Sequence, residues 1–223
     1  MSTTFAIAGI PGALAGALAA YLIGSFPTGV IVGRLFFHAD PRDAGSGATG
    51  ATNMFRLFGT WAGLLVTLVD IAKGALAVMA ISALGVASGV DPMPLGLAGA
   101  LLAVLGHVFP VFAGFRGGKG VATGAGALLV IAPMAVLFSA AGFLLVIGMT
   151  GIVSAASMTA ALILPIAIAG GVEGSPPSPW LLGFGLVLAA FVLFTHRSNI
   201  GRILRSEEKA FEKIRFLRSR KKP

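Results

Sequence analysis

The sequence predicts an all-α protein, a polytopic bundle of transmembrane helices. Three observations carry that prediction. Hydrophobic residues make up 57% of the chain and charged residues only 11%, with a mean hydropathy of +0.96, whereas a soluble globular domain carries about 25% charged residues. In water a chain of this size still needs a large polar surface, and lipid as solvent removes that need. Apolar stretches of spanning length recur throughout the chain, a hydrocarbon core of about 30 Å requiring about 20 helical residues. Finally, nearly all of the basic residues lie in one alternating set of loops and the C-terminal tail, the pattern from which orientation is read. The chain reads as a single transmembrane domain over 1–223, with 206–223 as a basic cytoplasmic tail.

The first stretch runs from about Ile7 to Phe36 with a kink at Pro27, and it lacks the basic leader of a cleaved signal peptide. The second runs from about Trp61 to Ala87 and the third from about Leu95 to Phe112. From Val121 to Gly171 the chain stays apolar for too long to form one or two spans. Pro133 and the polar patch Met149-Thr150-Gly151 are the natural breaks, giving three segments of which the first is short. The last span runs from about Trp180 to Thr195, for seven in all. The 32 glycines and the alanine-rich runs suit close packing of helices in lipid, where small residues let backbones approach.

Charge sets the orientation. Arg34, Arg42 and Arg56 flank or lie in the first loop, Arg116 and Lys119 lie between spans three and four, and the remaining basic residues follow span seven from Arg197 onward. Of the basic residues only Lys73 falls inside a span, and the loops around Asp91 and Glu173 carry acid without base. Seven spans place the first, third and fifth loops and the C-terminus on one face, which the positive-inside rule makes cytoplasmic, with the N-terminus outside. The expected location is a membrane with these basic loops on its cytoplasmic face. The tail alternates charge with Phe211, Ile214, Phe216 and Leu217, the pattern of an interfacial basic helix. A net charge of +8 on a soluble chain would point to nucleic acid. Here much of the excess, from Arg202 to Lys222, lies beside an anionic leaflet, so membrane lipid is the expected partner and nucleic acid is not. The absence of cysteine excludes disulfides, thiolate nucleophiles and Cys-based metal sites. No His/Asp/Glu cluster has ligand spacing, so neither a metal nor a cofactor is expected.

Three of the cytoplasmic segments are too polar and glycine-rich to be mere connections. The first is Gly45-Ser46-Gly47-Ala48-Thr49-Gly50-Ala51-Thr52-Asn53, followed by Arg56. Glycines let successive N–H groups point into a concavity, and such nests bind anions. Ser46, Thr52 and Asn53 add donors, and Arg56 adds a fork that matches phosphate. Its plainer reading is a turn before a helix capped by Asn53. The second segment, Gly106-His107-Val108-Phe109-Pro110 and then Phe115-Arg116-Gly117-Gly118-Lys119-Gly120, opens an apolar helix with the composition of a phosphate site. Flanking positive charge accounts for one of its two cations but not for three glycines around the lysine. His107 is expected to be a structural, hydrogen-bonded histidine. In the third, Thr195 to Arg202, His196 and Asn199 share a helical face. The alternative there is an interfacial His and a capping Asn.

Inside the second span Asp70 and Lys73 are three apart, and a structural ion pair holding the helix against the first loop is the preferred reading. Ser154 and Ser157 lie near the fifth loop and face the same pocket in this reading.

The motifs Ser46-Gly-x-x-Gly-Ala-Thr-Asn53 with Arg56, Gly-His-x-x-Pro to Phe-Arg-Gly-Gly-Lys-Gly-Val-Ala-Thr, and His196-Arg-x-Asn-Ile-x-Arg occur in this order. Together with Asp70-x-x-Lys73-Gly74, they resemble the bacterial acyl-phosphate–glycerol-3-phosphate acyltransferase family over roughly residues 21 to 208. The resemblance implies seven spans, with the motifs in the cytoplasm. It also implies transfer of a fatty acyl group from acyl phosphate to the sn-1 hydroxyl of glycerol 3-phosphate, giving lysophosphatidic acid and phosphate. This is the first acylation of bacterial phospholipid synthesis. By motif match Ser46, Arg56, Lys119, His196 and Asn199 fall on the family's active-site positions, as does one of Ser154 and Ser157. We read Ser46, His196 and Asn199 as catalytic. Gly47, Gly50, Thr52, Asn53, Arg56, Gly117, Gly118, Lys119, Gly120, Ser154 and Ser157 are read as binding substrate phosphate. Ala48 stands where the family's first motif usually has Asn.

No serine is bracketed by an evident base and carboxylate, so a covalent acyl-enzyme is not indicated. An acyl phosphate is a mixed anhydride with a good leaving group, and positioning with charge neutralisation is the main demand on the protein. The proton acceptor is a substrate phosphate or His196. The alternative function is a transporter or flippase of a phosphorylated metabolite, against which stands the lack of an inverted repeat with paired broken spans.

Overall fold

Helix boundaries follow the proline, glycine and capping residues of the sequence. In a computed structural model residues 2–86 and 91–211 are described, and every regular element among them is helical. Helix α1 (Ser2–Gly24) stops short of Pro27, which can neither donate to the preceding turn nor let its neighbour stay helical, and α2 (Thr28–Phe37) follows. Helix α3 (Ala51–Phe58) leads directly into α4 (Thr60–Val86). The side chain of Asp91 caps α5 (Pro92–Val108) by accepting from the Met93 N–H. The long apolar stretch after Val121 divides where expected, at Ala132 and at Gly151-Ile152, into α6 (Val121–Ile131), α7 (Pro133–Thr150) and α8 (Val153–Ala169). Ser178 caps α9 (Pro179–Thr195), and α10 (Arg197–Leu204) leaves it at an angle of 61°.

Four helical segments are long and apolar enough to cross a membrane, Pro11–Phe37, Thr60–Leu84, Pro92–Ala113 and Pro133–Thr150, with a fifth if α9 and α10 form one bent span. The apolar helices α6 and α8 are shorter, with 11 and 17 residues. At 1.5 Å per residue α6 is about 16 Å long, roughly half the hydrocarbon thickness.

The chain forms two compact units that divide after Ala132. In the first, α4 is the central helix and packs on α1, α3, α5 and α6. One cluster joins Ala20, Ala77, Ile81, Leu95 and Ala103 from α1, α4 and α5. A second joins Val32, Met54, Ala62 and Val66 from α2, α3 and α4, beside the stacked rings of Phe37, Phe58 and Trp61. Glycine permits the contact of α4 with α6. A Cβ on Gly74 would run into the Thr123 carbonyl, and one on Gly126 into the Ile71 carbonyl. The second unit packs α7 on α8 and α8 on α9, burying Leu164, Ile168, Leu181, Leu188 and Val192.

A polar network buried in the first unit centres on Asp70 and Lys73. Lys73 Nζ lies 2.8 Å from Asp70 Oδ1 and donates to the Phe26 carbonyl at 3.0 Å. The Thr28 hydroxyl donates to Asp70 at 3.2 Å, and His107 Nδ1 lies 3.6 Å from the same carboxylate. The pair is structural, as the sequence suggests. Its partners are the break between α1 and α2 and the end of α5, and not the first loop, because the Phe26 carbonyl in that break is the acceptor the lysine reaches.

The expected tail helix is not formed over 207–211, which is irregular; Ile214, Phe216 and Leu217 lie outside the described residues. Breaking the central pair is the severest test of the first unit. Lys73→Met should cost about 3–5 kcal/mol by leaving Asp70 buried without its cation, and Asp70→Asn combined with it should restore most of the loss. Thermal unfolding of the detergent-solubilised protein measures both.

Candidate active site

The first loop is built by Asn53. It lies in the first turn of α3, whose N-cap is Gly50, so it is not the capping residue that the plainer reading supposed. Its Oδ1 accepts from the Ser46 N–H at 2.9 Å, and its Nδ2 donates to the carbonyls of Pro41, Ala44 and Ala48 at 2.8, 3.3 and 2.9 Å. Asn53 is buried, and its amide is engaged with the loop at both ends. It therefore shapes the nest in which the sequence reading placed it as a phosphate ligand. Gly45 and Gly47, at φ of +64° and +70°, carry the chain round it. Ser46 is exposed, while Thr52 and Arg56 are half-buried in α3.

Arg42 ties this loop to the next one. It bonds Asp40 through two nitrogens and donates to the Ala113 carbonyl at 2.7 Å. The Arg42 hydrogen bond holds the Asp40 carboxyl well below the usual carboxylate range, against the opposing effect of burial. The charge of Arg42 is thus matched by Asp40.

The second loop folds back on the end of α5. The Gly118 N–H donates to the His107 carbonyl at 3.2 Å. Buried His107 places Nδ1 3.1 Å from the Thr123 hydroxyl of α6, so it is held among α4, α5 and α6. A Cβ on Gly117 would meet the His107 carbonyl and one on Gly118 the imidazole Nε2. Gly120, at φ +81°, is the N-cap of α6. Packing and turn geometry therefore account for all three glycines around the lysine, which composition alone had linked to an anion. Lys119 is half-buried and Arg116 exposed. The two loops meet: the Thr49 N–H donates to the Gly117 carbonyl at 3.4 Å, and a Cβ on Gly50 would lie 3.9 Å from Gly118 Cα. Gly47, Gly50, Gly117 and Gly118, with Ser46 and Lys119 on the same segments, thus belong to one loop pair, and Arg56 lies on α3, which follows the first loop.

In the second unit His196 ends α9 and opens α10, and both His196 and Asn199 are buried. His196 Nδ1 lies 2.8 Å from the Val192 carbonyl. A carbonyl only accepts, so Nδ1 carries the proton and a neutral ring keeps Nε2 as its acceptor. Ser154 and Ser157 are buried on the first turns of α8.

The sequence reading missed Glu208. Its Oε1 accepts from Ser154 Oγ at 2.9 Å and from Asn199 Nδ2 at 2.7 Å, and its Oε2 from Arg202 Nε at 2.6 Å. Burial alone would raise this carboxyl, but the three hydrogen bonds outweigh it and hold Glu208 below the ordinary value. The segment that carries it is fastened at both ends, by the Glu207 N–H on the Arg202 carbonyl and the Phe211 N–H on the Gly151 carbonyl, each at 2.8 Å. An acid within a basic tail was the available signal, and charge counting passed over it.

Apolar helices of spanning length, with polar chemistry gathered on the glycine-rich segments between them, define a multi-pass integral membrane protein. Residues 14–206 match the glycerol-3-phosphate acyltransferase family, and the chain belongs to it. A glycerol-3-phosphate acyltransferase of Streptococcus equi subsp. zooepidemicus (strain MGCS10565) is 44% identical over 195 residues, covering 86% of this chain and 88% of that protein. One from Chlorobaculum parvum is 42% identical over 213 residues, covering 85% and 92%. Among solved structures, the glycerol 3-phosphate form of PlsY (YgiH), an integral membrane glycerol 3-phosphate acyltransferase, is similar with a TM-score of 0.80 at 34% identity, covering 91% of this chain and 96% of that one. Its lysophosphatidic acid form is similar with a TM-score of 0.77 at 33% identity.

Asn53 generates a prediction separable from activity. Asn53→Ala leaves three carbonyls and one N–H without their partner and should cost at least about 2 kcal/mol. Asn53→Asp should be no milder, because its carboxylate faces the same carbonyls. Thermal unfolding, with proteolysis between Ala44 and Gly50, reads the loss.

Proposed function

We propose that this protein transfers a fatty acyl group from acyl phosphate to the sn-1 hydroxyl of glycerol 3-phosphate, producing lysophosphatidic acid and inorganic phosphate. The observation that carries the reading is the bonded pair of glycine-rich loops in the first unit, with Ser46, Arg116 and Lys119 on them and Arg56 on the helix after the first, in a chain of this family. Both substrates carry phosphate, and both demand cations and backbone N–H groups. The named relatives supply the acceptor, glycerol 3-phosphate, and the solved forms supply a lysophosphatidic acid product. Acyl phosphate as donor rests on the motif resemblance.

In this mechanism the acceptor oxygen attacks the acyl carbon, the carbon–oxygen bond to phosphate breaks, and phosphate departs. The leaving group needs charge neutralisation more than protonation, and Lys119 and Arg56 are assigned that role. Ser46 and Asn199 orient the substrates. A substrate phosphate takes the hydroxyl proton, while His196, neutral with Nδ1 protonated, serves as a hydrogen-bond partner through Nε2. The purified protein in detergent should form lysophosphatidic acid from acyl phosphate and glycerol 3-phosphate, with chelator present. Equal rates from acyl-CoA overturn the donor assignment. Lys119→Ala should lower kcat/KM by roughly tenfold to over a hundredfold, the worth of a charged hydrogen bond, and Lys119→Arg should recover only part. His196→Gln should keep measurable turnover with an acid limb similar to wild type. A folded His196→Gln variant that binds glycerol 3-phosphate without turnover makes His196 the base.

We also assign seven spans in a bacterial cytoplasmic membrane, with the N-terminus outside and both glycine-rich loops in the cytoplasm. The support is the alternation of basic and acidic loops, and the chain is a single functional domain in this reading. With no native cysteine, Asp43→Cys and Arg116→Cys should resist an impermeant thiol reagent in intact cells, and Asp91→Cys should react. The reverse pattern sinks the orientation.

A further inference from the structure

Glu208 is a buried carboxylate with a role in no motif, and its partners include two residues read as part of the site. Its side chain is only 3% exposed. An ionised carboxylate only accepts hydrogen bonds, and a serine hydroxyl has one proton to give. The 2.9 Å bond from Ser154 Oγ to Glu208 therefore commits the only proton of that serine. What Ser154 retains is acceptor capacity. Asn199 commits an amide proton to the same oxygen. Arg202, the cation of the cluster, is matched by Glu208 through its other oxygen at 2.6 Å.

A phosphate needs donors and uncompensated positive charge. This cluster has an anion at its centre, its nearby cation is neutralised, and its serine has no proton left. It is a poor phosphate cradle and a good partner for an alcohol, which brings a proton of its own.

We propose, on the reading of function above, that Glu208 is a positioning residue for the acceptor substrate. By taking the proton of Ser154 it makes that oxygen an acceptor, and the Ser154–Asn199–Glu208 cluster holds a hydroxyl of glycerol 3-phosphate and not a phosphate. This reassigns Ser154 from the phosphate-binding set. The tail segment, bonded to Arg202 and Gly151, is then a strut for the site.

The test compares wild type, Ser154→Ala, Glu208→Gln and the double variant. It measures kcat, KM for each substrate, and the Ki of inorganic phosphate. Ser154→Ala and Glu208→Gln should each raise KM for glycerol 3-phosphate by about tenfold, the worth of one hydrogen bond. KM for acyl phosphate and Ki for phosphate should stay at the wild-type values. The double variant should be little worse than Glu208→Gln, because the two residues act as a unit. A phosphate Ki that rises in step with KM shows that the cluster binds phosphate and overturns the proposal. Faster turnover or tighter glycerol 3-phosphate in Glu208→Gln also overturns it, by showing that the carboxylate blocks the site. If Glu208→Gln fails to fold, Ser154→Ala decides alone, since it keeps the Arg202–Glu208 pair. Wild type without acyl transfer removes the functional reading and this inference together; an active wild type with the wrong variant pattern removes only the inference.

Discussion

The ion pair of Asp70 with Lys73 is the constraint on which the rest of the first unit depends. Two charges within an apolar helix are costly unless they face each other and all remaining hydrogen-bonding capacity is used. Meeting that condition fixes the neighbours. The lysine needs a second acceptor and takes the Phe26 carbonyl, in the break between α1 and α2. The carboxylate needs a second donor and takes Thr28. His107 and Thr123 extend the network to α5 and α6. Four helices are thus registered by polar contacts with defined partners, in a solvent where apolar contacts discriminate little between alternative packings.

That network also supports the second glycine-rich loop. His107 is held by Thr123 and Asp70, and the loop packs on its carbonyl and its ring. The first loop is shaped by Asn53 and tied to the second through Thr49 and Arg42. Positive charge, abundant when counted, is apportioned when placed. Arg42 is matched by Asp40 and Arg202 by Glu208, so these two cations build the structure, a role that a charge map does not show.

Much of the fold was legible because its determinants are local. Proline marked the break before α2, Pro133 and Gly151 marked the divisions of the long apolar stretch, and three-residue spacing paired Asp70 with Lys73. The segments proposed for the site stood out because each motif is contiguous. The internal role of Asn53 was not legible, because its partners lie up to twelve residues away and its amide serves donors and acceptors alike. Nor was the reason for Gly117 and Gly118, since a glycine required by a neighbouring backbone and one required by an anion look the same in sequence.

The sequence by itself determined a helical membrane protein, the positions of its helix breaks, the glycine-rich segments proposed for its site and the family to which it belongs. These depend on solvent transfer, proline and glycine sterics and contiguous motifs, all properties of short stretches of chain. Tertiary structure decided which polar groups are already engaged. Ser154 and Glu208 are 54 residues apart, and Thr49 and Gly117 are equally remote from any local rule. Whether a serine presents a proton or a lone pair depends on the one neighbour that claims its hydrogen, and only the folded chain brings that neighbour within 3 Å.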